Sequence, residues 1–329
     1  MREITYVEAI NEALIEEMER DEKVFVIGED ISVGYGGGGV FGATKGLFDK
    51  FGEKRVIDTP LSESAIAGCA GGAALMGYRP VAEIMFGDFL PLTADQMVNV
   101  AAKMRWVLGG KADVPVVYRT AYGAGLGAGL HHSQSFEAWF AHVPGMKVVM
   151  PSTPGDAKGL LKSAIRDNDP VLFMEHKLLY RRLKGPVPDE EYLTPIGKGD
   201  VKRDGEDISI IATGAMVQCS LEAADILEEK GIRAEVVDPR SILPLDEEII
   251  LESVEKTGHA IIVHEAPRFG GFGGEIAGLL ADKGIDYLDG PVKRVGGVFC
   301  PIPSSFEMEQ FYLPNAEKIV KAAQEVLKF

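Results

Sequence analysis

Two short stretches of this 329-residue chain carry side chains able to move protons or hold a reacting group. The first is Asp58-Thr59-Pro60-Leu61-Ser62-Glu63, which runs into Ser64-Ala65-Ile66-Ala67-Gly68-Cys69-Ala70-Gly71-Gly72-Ala73. A helix so poor in bulk lets another backbone or a flat ligand come close. Glu63 stands at its start, where the helix dipole favours a carboxylate by a few tenths to about 1 kcal/mol. Position alone suits an ordinary first-turn glutamate at least as well. The second stretch is His131-His132-Ser133-Gln134. A histidine changes charge near neutral pH, so one placed on a reacting oxygen or sulfur can act as acid or base. A buried structural histidine is the competing reading. No third ligand has the spacing of a zinc site, and neither a cysteine nucleophile nor a Gly-x-Ser-x-Gly elbow is present.

Glycines surround both stretches. Gly34-Tyr35-Gly36-Gly37-Gly38-Gly39 satisfies G-x-G-x-x-G after a strand, so a nicotinamide or flavin fingerprint has to be weighed. A working fingerprint turns directly into a helix whose N-terminus faces the pyrophosphate. Here Ile31, Ser32 and Val33 intervene and the next helix starts near Ala43, so a surface loop is the better reading. Tyr122–Gly129, with glycine at every second position, reads as a mobile loop that carries His131, His132, Ser133 and Gln134 into a site.

The elements that must position these residues follow from periodicity. Thr5 and Glu8 have capping-box spacing ahead of Val7, Ile10, Leu14 and Met18. Val24–Ile27, Val81–Phe86, Val114–Arg119, Lys147–Met150 and Val171–Met174 read as strands. Helices are expected around Ala65–Met76, Thr93–Leu108 and Gly155–Ile165. Strands alternating with helices imply an α/β fold with a largely parallel sheet. Between Leu183 and Asp207 neither period survives, which makes 184–206 a linker and gives domains at 1–183 and 207–329. In the second domain Ile208–Ala212, Ala234–Val237, Ala260–Val263 and Val292–Val295 read as strands. Val217–Lys230, Asp246–Thr257, Gly274–Lys283 and Asn315–Leu327 read as helices.

Composition narrows the class. Lys+Arg 34 against Asp+Glu 50 gives a net charge of -16, the wrong sign for tracking phosphates, so nucleic acid is not an expected partner. Cys69, Cys219 and Cys300 are too few for a disulfide framework. No apolar run reaches membrane-spanning length and no targeting pattern opens the chain, so a soluble cytoplasmic protein is expected.

Taken with Gly28-Glu29-Asp30, Gly39-Val40-Phe41, Pro144-Gly145-Met146-Lys147-Val148-Val149, Ser163-Ala164-Ile165-Arg166-Asp167, Asp238-Pro239-Arg240, His264-Glu265-Ala266 and Tyr312-Leu313-Pro314, these segments resemble a known family over essentially the whole chain. It is the β subunit of the thiamine-diphosphate-dependent decarboxylase component of 2-oxoacid dehydrogenase complexes, a subunit type shared by pyruvate, branched-chain and acetoin dehydrogenases. The resemblance implies a transketolase-like pyrimidine-binding domain followed by a smaller transketolase C-terminal domain. It implies that Glu63 hydrogen-bonds a ring nitrogen of the cofactor's aminopyrimidine, so that the ring's imino form takes the proton from the thiazolium carbon. Phe89 matches the aromatic position on the pyrimidine, where relatives often carry Tyr. His132 matches the histidine at the site's mouth that assists acyl transfer to lipoate. A non-catalytic assembly subunit with the same fold is the alternative of another class, against which the joint presence of Glu63 and His132 argues.

The Gly-Asp-Gly motif that holds Mg²⁺ and the diphosphate in such enzymes is missing. The resemblance therefore places that site in an α subunit, within an α2β2 heterotetramer docked on a lipoyl-bearing acyltransferase core. It also implies a structural K⁺ at Val116, Ala164, Ile165, Asp167 and Asp169, the last replacing an Asn. For the substrate, Met150–Pro154 with Glu175–Tyr180 leans toward acetoin-type relatives, while Gly271–Ile276 also suits branched-chain ones.

Overall fold

The computed structural model describes residues 1–32 and 37–329, which divide into two compact units. The first comprises Met1–Tyr122 and Trp139–Ile196, the second Gly123–Ala138 and Gly197–Phe329. The His132 segment therefore counts with the second unit, although 1–183 reads as one domain in sequence. Gly34, Tyr35 and Gly36, half of the candidate dinucleotide fingerprint, lie outside the described residues.

In the first unit the strands are Arg2–Thr5 (β1), Val24–Gly28 (β2), Val56–Asp58 (β3), Arg79–Ile84 (β4), Val117–Tyr122 (β5), Lys147–Val149 (β6), Val171–His176 (β7) and Lys184–Val187 (β8). Its helices are Tyr6–Arg20 (α1), Leu47–Phe51 (α2), Glu63–Leu75 (α3), Leu90–Ala94 (α4) and Ala102–Val107 (α5). Glu137–Ala141 (α6) crosses the unit boundary, and Pro154–Arg166 (α7) and Leu179–Arg182 (α8) complete the set. Six strands stand in the order β6-β7-β5-β4-β2-β3, every neighbouring pair parallel. Thr5 and Glu8 close the expected capping box on α1.

The helix expected over Thr93–Leu108 forms, but Asp95–Ala101 adopts π geometry between α4 and α5. Residues 184–206, expected to link the domains, contain β8, which pairs antiparallel with β1 (Arg2↔Val187 to Thr5↔Lys184), and another strand, Asp200–Arg203 (β9). Four-residue strands are too short to show a period, and β8 carries Pro186, tolerated because an edge strand can spare its amide.

The second unit adds Ile208–Ala212 (β10), Ala234–Asp238 (β11), Ser241–Leu243 (β12), Ala260–Pro267 (β13) and Lys293–Gly297 (β14). Met216–Glu228 (α9), Glu247–Thr257 (α10), Gly273–Lys283 (α11), Phe306–Tyr312 (α12) and Ala316–Val326 (α13) surround a sheet ordered β14-β13-β10-β11-β9, parallel except for β9. Fully buried runs such as Ile208–Ala212 and Ala260–Ala266 are what a sheet covered on both faces requires. Among the described residues no helix is long and apolar enough to cross a membrane.

Candidate functional site

Strand order locates the first site. The chain leaves β2 for β3 on one side and returns through α3 to β4 on the other, so the direction of winding reverses between β2 and β4. In open parallel sheets the crevice beyond the carboxyl ends of the strands at such a reversal is where ligands bind. Glu29 and Asp30 follow β2 there, Phe86 and Phe89 follow β4, and Glu63 opens α3 after β3. Gly28 is required at the end of β2, since a Cβ would stand 3.0 Å from both the Cβ and the carbonyl oxygen of Glu83.

Glu63 is half-buried in the first turn of α3, and Ser62 gives the helix no side-chain cap. Its charge reaches Glu29, whose carboxyl is raised above the usual range by burial first, then by Glu63 and Asp30. Thr59 Oγ1, four residues before Glu63, is enclosed and has no hydrogen-bond partner among the described residues. The small residues of α3 admit close neighbours: Tyr118 Oη donates to the Ala67 carbonyl at 3.3 Å, and a Cβ on Gly68 would meet Gln96 Oε1 at 3.1 Å. Gln96 belongs to the π turn, a distortion that recurs at functional sites.

A ring cluster lies at the same edge. Phe86 stands edge-on to Phe89 and to Phe41 at 5.8 Å each, Phe41 stacks on Tyr180 at 4.9 Å, and Lys177 Nζ sits 5.3 Å from the Phe86 ring centroid. Beneath it a buried ion network, which no sequence period announces, spans three strands. Arg119 donates from Nε and NH2 to the Glu175 carboxylate at 2.6 and 2.7 Å and from NH1 to Glu83 at 2.8 Å, and Tyr180 Oη donates to Glu175 at 2.6 Å. Burial acts to lower the pKa of Arg119, but Glu175 and Glu83 outweigh it and hold the guanidinium charged; burial raises Glu83 despite Arg119. Without a period, Glu83, Arg119 and Glu175 could still have been flagged as charges inside largely apolar strand runs, where burial demands partners.

His132, half-buried, sits on the glycine-rich segment of the second unit, its amide donating to the Gly129 carbonyl at 3.3 Å. The loop read as mobile is tied down. Ala124 N–H donates to Glu265 Oε1 at 2.6 Å, and the amides of Gly125 and Gly127 donate to the two oxygens of Glu309 at 2.8 and 3.0 Å. Positive φ at Gly123, Gly125, Gly127 and Gly129 is what permits these amides to converge on carboxylates. Five residues after His132, Glu137 is buried; its Oε2 has no hydrogen-bond partner among the described residues, and burial first, then Glu265, pushes its carboxyl up to about 7 against a bond to its own backbone.

The five expected potassium ligands do come together where α7 meets β7, but their oxygens are engaged. Val116 accepts from Val171 N–H, Ala164 from Asp167 N–H, and the Ile165 and Asp167 carbonyls from Arg79, each of those two at 2.9 Å. The Asp167 carboxylate accepts from Lys147 at 2.6 and 2.7 Å, and Asp169 from Arg105 at 2.8 Å. No group of three or more His, Cys, Asp or Glu side chains among the described residues could hold a metal ion.

Comparison with known proteins agrees with this architecture. Residues 2–182 match the transketolase pyrimidine-binding domain and residues 197–319 the transketolase C-terminal domain. Among Bacillus subtilis proteins, the chain is 49% identical to the 2-oxoisovalerate dehydrogenase subunit beta and 49% identical to the pyruvate dehydrogenase E1 component subunit beta, each over 100% of both chains. It is also 49% identical to the acetoin:2,6-dichlorophenolindophenol oxidoreductase subunit beta, over 99% of this chain and 98% of that one. A split-gene transketolase, solved as an inactive tetramer, superposes with a TM-score of 0.80 at 25% identity, over 99% of this chain and 98% of that one.

Proposed function

The chain belongs to the family of β subunits that, with an α subunit, form the thiamine-diphosphate-dependent decarboxylase component of 2-oxoacid dehydrogenase complexes, and from that premise we propose how its residues serve the reaction. That reaction is oxidative decarboxylation of pyruvate or a branched 2-oxoacid with acyl transfer to lipoate; the acetoin relative, at the same 49% identity, keeps acetoin cleavage as the second reading. Thiamine diphosphate, when bound, supplies the carbon nucleophile for the 2-oxoacid carbonyl.

The residues at the β2–β4 reversal fit the cofactor's pyrimidine end. Glu63 would hold a ring nitrogen by a hydrogen bond, and Phe89 would present an aromatic surface to the ring. The enclosed hydroxyl of Thr59 supports a polar group arriving from outside this chain, because a buried polar atom without a partner is uncommon. The placement of Glu63 at the first turn of α3, beside the β2–β4 reversal, is the observation that carries the reading: it puts a carboxyl where a ligand in that crevice can hydrogen-bond it. His132, in the second unit, is assigned the stabilisation of charge and assistance in acyl transfer.

Mg²⁺ and the diphosphate are assigned to the α subunit of an α2β2 assembly. Potassium at its expected residues would have to share the Ile165, Asp167 and Asp169 oxygens with Arg79, Lys147 and Arg105, and the chemistry proposed here does not depend on it. For docking on the acyltransferase core, the exposed Glu222, Glu229, Glu252 and Glu255 of α9, its C-terminal end and α10 are the best candidates. Asp225 and Glu228 are taken by Arg203, and Glu247 by Lys283. An acidic face of this kind accelerates encounter with a basic domain more than it strengthens the complex.

Glu63→Gln tests the reading. In a complex assembled with the α subunit it should still bind thiamine diphosphate while turnover with pyruvate, branched 2-oxoacids and acetoin falls by about 100-fold or more, about 100-fold being the lower end of what one general acid–base group contributes. Near-normal turnover with any of these substrates would remove Glu63 from the chemistry.

A further inference from the structure

The segment that carries His132 is closed by three sets of contacts within the second unit. At its base the Gly123 amide donates to the Gln134 carbonyl at 3.4 Å. At its tip Gly129, with φ +74°, packs so tightly that a Cβ would fall 2.5 Å from Ser304 Oγ. Between them the backbone is gripped by two acids from distant elements, Glu265 on β13 and Glu309 on α12.

Glu309 is 0% exposed, and among the described residues no cation pairs with it. Among the described residues its oxygens are met by backbone amides. Two amide donors, two residues apart, each meet a different oxygen, so the carboxylate fixes both the position and the tilt of the Gly125–Gly127 backbone. Charge-assisted bonds of this kind are roughly twice as strong as neutral ones, and a buried carboxylate costs too much to bury for packing alone.

We infer that Glu309, with Glu265 beside it, is a positioning residue: it clamps the alternating-glycine backbone so that His132 is presented at one fixed place for acyl transfer. The inference rests on the role assigned to His132. The path is short and continuous: Glu309 to the Gly125 and Gly127 amides, through Gly129, to the His132 amide on the Gly129 carbonyl. Gly127 is the position where the clamp can be disturbed without touching the acid. Its φ of +66° disfavours any side chain, whereas an added Cβ would meet Ser304 O at an ordinary 3.4 Å.

The test compares two rates in the assembled complex, using the 2-oxoacid that it decarboxylates fastest. One is reductive acylation of a lipoylated domain; the other is turnover with 2,6-dichlorophenolindophenol, which bypasses lipoate. Glu309→Gln replaces one acceptor oxygen by an NH₂ that cannot accept, and it should lower the ratio of the first rate to the second by at least tenfold. Gly127→Ala should move the ratio in the same direction, and it decides the matter if Glu309→Gln does not assemble. The double variant Glu309→Gln/His132→Ala should show the ratio of His132→Ala alone within twofold, because residues acting through one another are not additive. Equal loss of both rates, or a double variant whose ratio falls by the product of the single effects, would overturn the clamp. If His132→Ala itself leaves the ratio unchanged, the role of His132 falls, and the clamp with it. If His132→Ala lowers the ratio but the Glu309 and Gly127 variants do not, the clamp alone is wrong.

Discussion

The two units each bury a group of carboxylates, and they solve the cost of doing so in opposite ways. In the first, Glu83 and Glu175 share one cation, Arg119, whose fork fills both carboxylates across β4, β5 and β7. In the second, among the described residues, Glu309 is met only by amides, and Glu137 is left with an oxygen that has no partner. A cation-centred network holds strands that the sheet already holds, so it stiffens a platform. An amide-held carboxylate holds a loop that has no ladder of its own, so it confers position. The difference identifies where stability and where placement should be lost on mutation.

The largest effect should follow from breaking the first arrangement at its centre. Arg119→Met leaves two carboxylates buried without a cation and should cost about 3–5 kcal/mol, the usual penalty for stranding a buried charge. Denaturant unfolding of the assembled complex measures it. The deficit should shrink at low pH, where Glu83, its carboxyl already raised by burial, takes up a proton. A loss under about 1 kcal/mol would mean that water reaches the network.

Glu137 sharpens the comparison, since it is the acid with the least compensation: one oxygen has no partner among the described residues and only a bond to its own backbone opposes burial. Its folded pKa, about 7, lies above the ordinary carboxyl value of 4.5. The folded state therefore keeps a proton that the unfolded state releases, and stability falls as pH rises from about 4.5 to about 7, then levels. At roughly 1.4 kcal/mol per unit the loss is on the order of 3 kcal/mol. Glu137→Gln, which cannot ionise, should remove that slope: the variant gains on the parent between pH 5 and pH 8. Parallel melting curves across that range would show Glu137 to be compensated after all.

Smaller still is the effect expected at the loop tip. Gly129→Ala combines a left-handed backbone, costing roughly 1 kcal/mol for a non-glycine residue, with a clash on Ser304 Oγ. Ser304→Ala removes the clashing atom and should recover the second part only. Full recovery would show that the backbone, and with it the convergence of the amides, tolerates other conformations.

The same contrast explains what could be read from the sequence. Long periodic elements were legible: Ile208–Ala212 stands as read, and α7 and α9 fall within two residues of their expected ends. Glu63 could be singled out in the sequence because a first-turn position, a small-residue helix and a family-like motif coincide there; its role is the one proposed above. The strands β1, β3, β8, β9 and β12 were not, because three or four residues make no period and their pairing is decided by distant partners. Glu309 was invisible for a related reason. In Phe306–Tyr312 it looks like one more acid on an exposed helix, and only the arrival of a loop some 180 residues earlier in the chain makes it a buried anchor. The glycine alternation in Tyr122–Gly129 was visible but ambiguous: freedom of φ serves motion and serves fixed convergence of amides equally well, and the carboxylates decide which.

That separation in sequence has a consequence for the order of events during synthesis. Gly125 and Gly127 leave the ribosome 184 and 182 residues ahead of the acid that holds them. At about 5–20 residues per second, the glycine segment waits roughly 10–40 s before its anchor is even made. The strands on either side of it, β5 and β7, can pair within that interval. The nascent first unit must therefore close around an excursion, residues 123–138, that belongs to a fold still to be translated.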